Sequence, residues 1–265
     1  MMTRAHAAAL AAPLWLCLNF SLVAQEPETQ DAHDEMGPLP VTLLPHDELL
    51  GSKVVAARHD GAAPDASAAA VASIVDLALD SRTGQALTAT LLTADSDARR
   101  VVLPWASLRF DAHHKRFELG NDVELDRLPM AEEHDEVDEG DADAATRPGP
   151  LRVAELRRWL VRAEDAEVGM PAALVFEPST GRTAFVAVSA ASLSVDGKLV
   201  LPWAALRISG TQLSVARPAA DLAEAPLLLG KRELQDADFR AEVYAFYGVA
   251  TPAYERPMSA QPSRR

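Results

Sequence analysis

Histidines and acids are the side chains in this sequence that could hold a metal ion or move a proton. His113 and His114 are adjacent, and a metal site would need both of them on one side of the chain. Neighbouring residues of a strand point to opposite sides, so such a pair chelates one ion poorly. No H-x-x-x-H spacing accompanies the pair. The pattern predicts a surface pair, and we expect no metal-binding residue.

Three carboxylates, those of Asp76, Asp80 and Glu177, are the candidates for a paired acid and base. They flank predicted turns, where acidic residues commonly lie because their side chains cap the backbone. The sequence contains no G-x-S-x-G motif, glycine-rich phosphate loop or dinucleotide-binding fingerprint. We therefore predict no catalytic residue, no cofactor-binding residue and no cofactor.

A phrase of ten residues occurs twice and organises the rest of the sequence. VVLPWASLRF at Val101–Phe110 returns as LVLPWAALRI at Leu199–Ile208, with seven identical positions. Upstream of each phrase, apolar residues alternate with others, which is the period of a strand, and the turns SRTG and PSTG follow. Gly84 and Gly181 end these turns, where glycine supplies a positive φ. Each copy therefore predicts a hairpin and then a strand entered through Leu-Pro-Trp.

Trp105 and Trp203 follow the repeated proline. Proline has no N–H and belongs at the first residue of a strand or at a sheet edge. A tryptophan beside it can fill one end of a small barrel, because a small core holds few large side chains. The alternative is a platform on which a ligand stacks. We favour the structural role, because the phrase recurs as a framework element.

The repeat and its continuation predict the fold class. Each copy spans about 80 to 90 residues of short strands separated by turns, a pattern typical of a small barrel or sandwich. After the second copy the period changes: Phe239, Val243 and either Phe246 or Tyr247 have helical spacing, and Gly248 is a suitable C-cap. This helix either docks on the second barrel or binds a partner. We predict a mainly β protein with two tandem small β-barrels and a short C-terminal helix.

Three stretches of the first copy resemble a known family. They are ELLGSKVVA at Glu48–Ala56, IVDLALDSRTGQ at Ile74–Gln85, and the VLPWASLRF phrase. Together they resemble the PRC-barrel family, which is named for the photosynthetic reaction centre H subunit. The second copy keeps STG and LPWAAL but departs from the opening glycine element at Glu155–Ala163. The resemblance covers about Leu43–Leu229 and implies tandem PRC-barrel-like domains that act as non-catalytic interaction modules.

An acidic segment, Met130–Pro150, lies between the copies and carries eight acids within Glu132–Asp143. Such charge density predicts a self-repelling, extended linker. Asp138, Asp141 and Asp143 are spaced like part of a calcium loop, but the placed glycine and the closing glutamate are missing. We interpret these residues as a solvated run of charge.

The first residues, Met1–Ala24, have the layout of a secretory signal peptide: one arginine, an apolar run and a polar continuation. We predict export to the periplasm or the extracellular space after cleavage near Ala24. Two alternatives stay open, an uncleaved membrane anchor at Ala7–Ala24 and a lipoprotein anchor at Cys17. Cys17 is the only cysteine, so disulfides do not hold the exported chain together.

These observations give a division of the chain and a function. The predicted parts are a signal peptide 1–24, a disordered acidic tail 25–40, a first PRC-barrel-like domain 41–130, an acidic linker 131–150, a second such domain 151–229, and a C-terminal helix and tail 230–265. The net charge of -14 argues against a nucleic-acid partner, because phosphate backbones are bound by basic surfaces.

The predicted function is that of a non-catalytic exported interaction or scaffolding module whose partner is a protein or an envelope component. Contact with a membrane is expected only if the N-terminal segment stays uncleaved. The two barrels can also pair with each other within the chain. The alternative function is an enzyme with an unrecognised site in the cleft between the barrels.

Overall fold

The computed structural model describes residues 41–56, 68–131, 149–230 and 233–252. The described chain is mainly β, with two curled sheets and four short α-helices, which confirms the predicted mainly β class. The predicted signal peptide with Cys17, the acidic tail and the aspartates of the acidic linker lie outside the described residues.

The strands and helices follow one another in a repeated order. The strands from the first copy are β1 Leu44–Pro45, β2 Lys53–Ala56, β3 Ala70–Leu79, β4 Ala86–Thr93, β5 Arg100–Pro104, β6 Leu108–Asp111 and β7 Arg116–Leu119. The later strands are β8 Leu151–Arg152, β9 Leu160–Arg162, β10 Glu167–Glu177, β11 Arg182–Ser189, β12 Lys198–Pro202, β13 Leu206–Ser209, β14 Gln212–Val215 and β15 Leu227–Leu228. The α-helices are α1 His46–Leu49, α2 Val153–Leu156, α3 Ala219–Leu222 and α4 Ala237–Phe246.

The two sheets have the same strand order. The N-terminal sheet is ordered β5-β4-β3-β2-β7-β6, and the C-terminal sheet is ordered β12-β11-β10-β9-β14-β13, with β15 beside β12. β2 and β7 pair in parallel, as do their counterparts β9 and β14, and the other neighbours in both sheets are antiparallel. The short β9 takes the place of β2 although the second copy lacks the opening glycine element.

β3 shows why these segments form strands and where they bend. Ala72 and Ile74 are buried, and so are Leu77 and Leu79, so the alternation of buried residues changes phase between the two pairs. The register with β4 shifts between Ile74 and Asp76, which is a β-bulge. A bulge inserts one residue on one strand and reverses which side chains face the core.

The repeated proline ends a strand rather than beginning one. Pro104 is the last residue of β5, and Trp105 begins a single 3-10 turn that leads into β6. Pro202 and Trp203 have the same positions after β12. The strand that we expected to be entered through Leu-Pro-Trp is β6 or β13, and it begins three residues after the tryptophan rather than at the proline. The physical reason given for proline still applies, because a residue at the end of a strand gives up little of the hydrogen-bond ladder.

The first strand and the first helix of each copy pack on the sheet of the other copy. β1 of the first copy pairs with β10, and β8 of the second copy pairs with β3. We call residues 44–49 the first arm and residues 151–156 the second arm. Leu49 of the first arm and Leu156 of the second are fully buried. One continuous cluster of buried apolar side chains runs through both sheets.

The C-terminal helix α4 packs on the C-terminal sheet. The Asp236 side chain caps its first turn by accepting a hydrogen bond from the Asp238 N–H at 2.9 Å. The ring of Tyr244 lies 5.1 Å from the ring of Phe185 on β11. Gly248 follows the helix with φ of 65°, at the position where helices end in a left-handed residue. No helix within the described residues is both long and apolar enough to cross a membrane.

Candidate functional site

Two equivalent turns, one from each copy, pair with each other. The Ala86 N–H donates to the Gly181 carbonyl at 2.8 Å, and the Thr183 N–H donates to the Gly84 carbonyl at 2.9 Å. These two hydrogen bonds flank an antiparallel bridge between the copies. The first residues of β4 and β11 therefore hold the two sheets together through backbone groups.

Each turn glycine lies against the repeated tryptophan of the other copy. A methyl group added at Gly84 would come within 2.7 Å of the Trp203 indole, and one added at Gly181 within 2.2 Å of the Trp105 indole. Both glycines also have positive φ, 69° and 76°. Trp105 and Trp203 are each 5 % exposed. We call residues 80–86 and 177–183 with these two tryptophans the seam.

The carboxylate of Asp80 shapes the turn of the first copy. Its Oδ1 accepts hydrogen bonds from the Arg82 N–H at 3.0 Å, the Thr83 N–H at 2.7 Å and the Thr83 hydroxyl at 2.8 Å. These bonds, those from Thr83 first, lower the pKa of Asp80 below its ordinary value. Asp80 is therefore an ionised turn cap rather than a member of an acid and base pair.

Glu177 has the same place in the second copy. Its carboxylate accepts hydrogen bonds from the Ser179 hydroxyl at 3.1 Å and the Thr180 hydroxyl at 2.9 Å. The Gly181 N–H closes the turn on the Glu177 carbonyl at 2.8 Å. The expectation that Asp80 and Glu177 flank turns agrees with these contacts.

A cavity of about 430 Å³ opens beside Trp203, and we call it the seam pocket. Its polar wall comes from both copies: Arg82, Thr83, Gln85, Arg182 and Thr183. Its apolar wall consists of Ala184, Trp203, Ala204, Tyr244, Val249, Ala250 and Pro252. The C-terminal helix and the residues after it thus complete a pocket that neither sheet forms alone.

The uncharged polar side chains of the seam pocket are already engaged. The Thr183 hydroxyl donates to the Gly84 carbonyl at 2.8 Å, and the Gln85 amide donates to the Thr180 carbonyl of the other turn. Both bonds run between the copies. By contrast, Arg82 and Arg182 form no ion pair with any residue that the structure describes.

A second cavity, of about 360 Å³, lies where the first arm meets the C-terminal sheet. His46 of this arm is 3 % exposed, and its Nδ1 accepts a hydrogen bond from the Leu174 N–H at 3.3 Å. Burial, and then the charge of Arg157, lowers the pKa of His46, and Asp47 opposes them. A neutral imidazole therefore joins the arm to β10.

Asp76 lies within β3 and not at a turn, so that part of the expectation is wrong. Its carboxylate accepts a hydrogen bond from the Leu77 N–H at 2.8 Å and from the Ala154 N–H of the second arm at 3.4 Å. Burial outweighs these bonds and raises the pKa of Asp76. Asp76 thus accepts a hydrogen bond from the second arm. The Leu174 N–H has the corresponding place for the first arm, where it donates to His46.

The histidine pair lies in the turn between β6 and β7. The ring of His114 contacts Asp111, with its Nδ1 2.6 Å from the Asp111 Oδ2, and packs edge to face on the ring of His113. Burial raises the pKa of Asp111, but the hydrogen bonds from His114 and His113 outweigh it and leave that pKa lowered. Among the described residues no group of three or more histidines, cysteines or acids is arranged to hold a metal ion.

Arg82, Arg182 and His46 were not predicted from the sequence as site residues. The two arginines flank the repeated glycines in SRTG and TGR. Their position beside the two turns could therefore be predicted from the sequence. Their joint position in one pocket depends on the pairing of the two turns, which no local pattern reveals. In comparisons with known proteins, the chain matches no family model and no curated protein.

Proposed function

We propose that this chain is a non-catalytic interaction module built of two tandem PRC-barrel-like units. The shared strand order of the two sheets and the repeated Leu-Pro-Trp phrase support this arrangement. The resemblance of the first copy to the PRC-barrel family supports the assignment to interaction rather than catalysis. The proposed site of interaction is the seam.

The seam pocket is the observation that carries this proposal. It takes Arg82 and Gln85 from the first copy, and Arg182 and Thr183 from the second. Hydrogen bonds between the turns fix the backbone from which these side chains project, so the framework of the pocket is pre-organised for binding. Reactive groups are not gathered there, since the turn carboxylates act as caps.

A photo-crosslinking experiment on the whole chain tests this proposal. One variant carries the crosslinking residue at Ala204, which is exposed in the seam pocket, and a control variant carries it at Ser209, which is exposed at the end of β13. We expect a reproducible product with one envelope component from position 204 only. Equal products from both positions, or none from either, would contradict an interaction site at the seam.

An assay of substrate turnover tests the alternative function, that of an enzyme. Turnover of an envelope substrate by the purified chain, abolished by Asp80→Asn or Glu177→Gln in a folded variant, would replace the module by an enzyme. Thermal unfolding of each variant establishes that it is folded, because both carboxylates also cap turns.

We further propose that the chain is exported to the periplasm or beyond after cleavage near Ala24. The apolar run that ends before an acidic stretch supports this. Mass spectrometry of the protein from the envelope fraction is expected to find a new N-terminus at Gln25. An intact Met1 in the membrane fraction would favour the anchor at Ala7–Ala24, and a lipidated Cys17 would favour the lipoprotein.

A further inference from the structure

We propose that the seam pocket binds a small organic anion, with its carboxylate or phosphate group held between Arg82 and Arg182. This inference rests on the proposed function, because it names the kind of ligand that the same seam accepts.

The charge of the pocket is opposite to that of the protein. The chain has a net charge of -14, yet the described residues that line the pocket include two arginines and no acid. The two arginines come from different copies, Arg82 from the turn before β4 and Arg182 from the first position of β11. A local pair of cations in an acidic protein favours an anionic ligand over a neutral or cationic one.

The carboxylates nearest in sequence do not neutralise these arginines. Asp80 accepts hydrogen bonds from Thr83 and from the Arg82 backbone N–H, and Glu177 accepts from the Ser179 and Thr180 hydroxyls. Asp80 attracts Arg82 at longer range but forms no ion pair with it. Among the residues that the structure describes, neither guanidinium has an ion-pair partner, so its N–H donors are accessible to a ligand. Guanidinium groups recognise carboxylate and phosphate through two parallel hydrogen bonds.

The rest of the pocket limits the ligand to a small molecule with an apolar body. A volume of about 430 Å³ lies within the range of pockets for small molecules. Elsewhere in the lining, Trp203 and Tyr244 contribute aromatic carbon, and Val249 and Pro252 contribute aliphatic carbon. Thr183 and Gln85 use their donors on the opposite turn, so the arginines supply the specificity for the anion.

Calorimetric titration of the whole chain at low ionic strength tests this inference. The probes are benzoate, phenyl phosphate and the neutral benzamide, which share one apolar ring. We expect one of the two anions to bind with a dissociation constant below about 1 mM and benzamide to bind at least about tenfold more weakly. The tighter of the two anions identifies the group, carboxylate or phosphate, that the arginines prefer.

Variants assign the binding to the arginines. Arg82→Gln and Arg182→Gln are each expected to weaken binding about tenfold or more. Arg158→Gln is the control and is expected to leave binding unchanged, because Arg158 is exposed and does not line the pocket. Because both pocket arginines are exposed, we expect the variants to keep the melting temperature of the parent chain. Equal binding of benzamide, binding unaffected by both pocket variants, or no binding of either anion at about 10 mM would overturn the inference.

The outcomes separate this inference from the proposed function. Crosslinking of an envelope component at Ala204, without binding of either anion, would leave the interaction module and remove the anion site. Binding of an anion without any crosslinked component would retain the anion site and remove the interaction module.

Discussion

At the scale of single residues, the repeated phrases are explained by contacts between the copies. The glycine of each turn lies against the tryptophan of the other copy, so both residue types must occur twice. Trp105 also packs edge to face on Phe117 of its own sheet, with ring centroids 5.4 Å apart. Each tryptophan is thus buried in the apolar core and also contacts the turn glycine of the other copy.

The Gly181→Ala substitution measures this contact. Its added methyl overlaps the Trp105 indole, and its φ of 76° is unfavourable for alanine. Gly248→Ala is the matched control, because Gly248 has φ of 65° and no atom within 4 Å of an added methyl. We expect Gly248→Ala to lower the free energy of unfolding by about 1–2 kcal/mol, and Gly181→Ala by about 1–3 kcal/mol more. Urea denaturation provides both values.

A double-mutant cycle shows which tryptophan is involved. In a Trp105→Ala background the indole is gone, so the extra cost of Gly181→Ala is expected to disappear. In a Trp203→Ala background the extra cost is expected to remain. Equal costs in the two backgrounds would mean that Gly181 does not contact Trp105.

His46 predicts a pH dependence of stability. Its pKa is lowered in the folded state, so below its ordinary value of about 6.5 the unfolded chain takes up the proton first. The stabilisation is present above pH 6.5 and is lost as the pH falls toward the folded-state pKa, by at most about 1.4 kcal/mol per pH unit. Protonation also removes the acceptor for the Leu174 N–H.

The measurement compares the parent chain with His46→Gln between pH 5 and 7.5. Glutamine keeps an oxygen acceptor and does not titrate, so its stability is expected to fall less as the pH is lowered. Asp76, whose pKa is raised and whose contribution has the opposite sign, is present in both proteins and cancels. Parallel pH profiles would show that His46 is not buried as a neutral base.

At the scale of secondary-structure elements, the two arms determine how the copies are joined. β1 and β8 have two residues each, and each pairs with the sheet of the other copy. The short helices that follow bury Leu49 and Leu156. An exchange of this kind is the intramolecular form of the swap by which identical protomers make dimers.

An engineered disulfide tests the second arm. Ala78 of β3 and Arg152 of β8 are antiparallel partners, and such partners have Cα atoms close enough for a disulfide. We expect Ala78→Cys with Arg152→Cys, in a chain that also carries Cys17→Ser, to form the bond under mild oxidation. The thiol titre should fall to zero, whereas the Ala78→Cys single variant keeps one thiol. Persistent thiols in the double variant would contradict the pairing of β8 with β3.

Sequence patterns predicted the elements better than their partners. The alternation of apolar residues predicted strands, and the helical spacing of Phe239 and Val243 predicted α4, because each pattern is set by local burial. A strand of two residues has no period, so nothing in the sequence of β1 or β8 indicates its partner. The seam pocket depends on the pairing of the two turns, which no local pattern reveals either, and its arginines were therefore not predicted.

At the scale of the whole molecule, the two copies are joined rather than independent. The two copies form one folded body, because their arms are exchanged and one apolar core runs through both sheets. The described residues of both copies accordingly belong to one compact unit. Residues of both copies line the seam pocket, so the binding proposed there depends on this union.

Cleavage between the copies tests that claim most directly. A specific protease site is placed within residues 132–148, and the cut chain is examined by size exclusion with light scattering. The account predicts one species with the mass of the uncut chain, which separates only in denaturant, and at a lower denaturant concentration when Gly84→Ala and Gly181→Ala are present. Two species with the masses of the separate fragments, under native conditions, would contradict it.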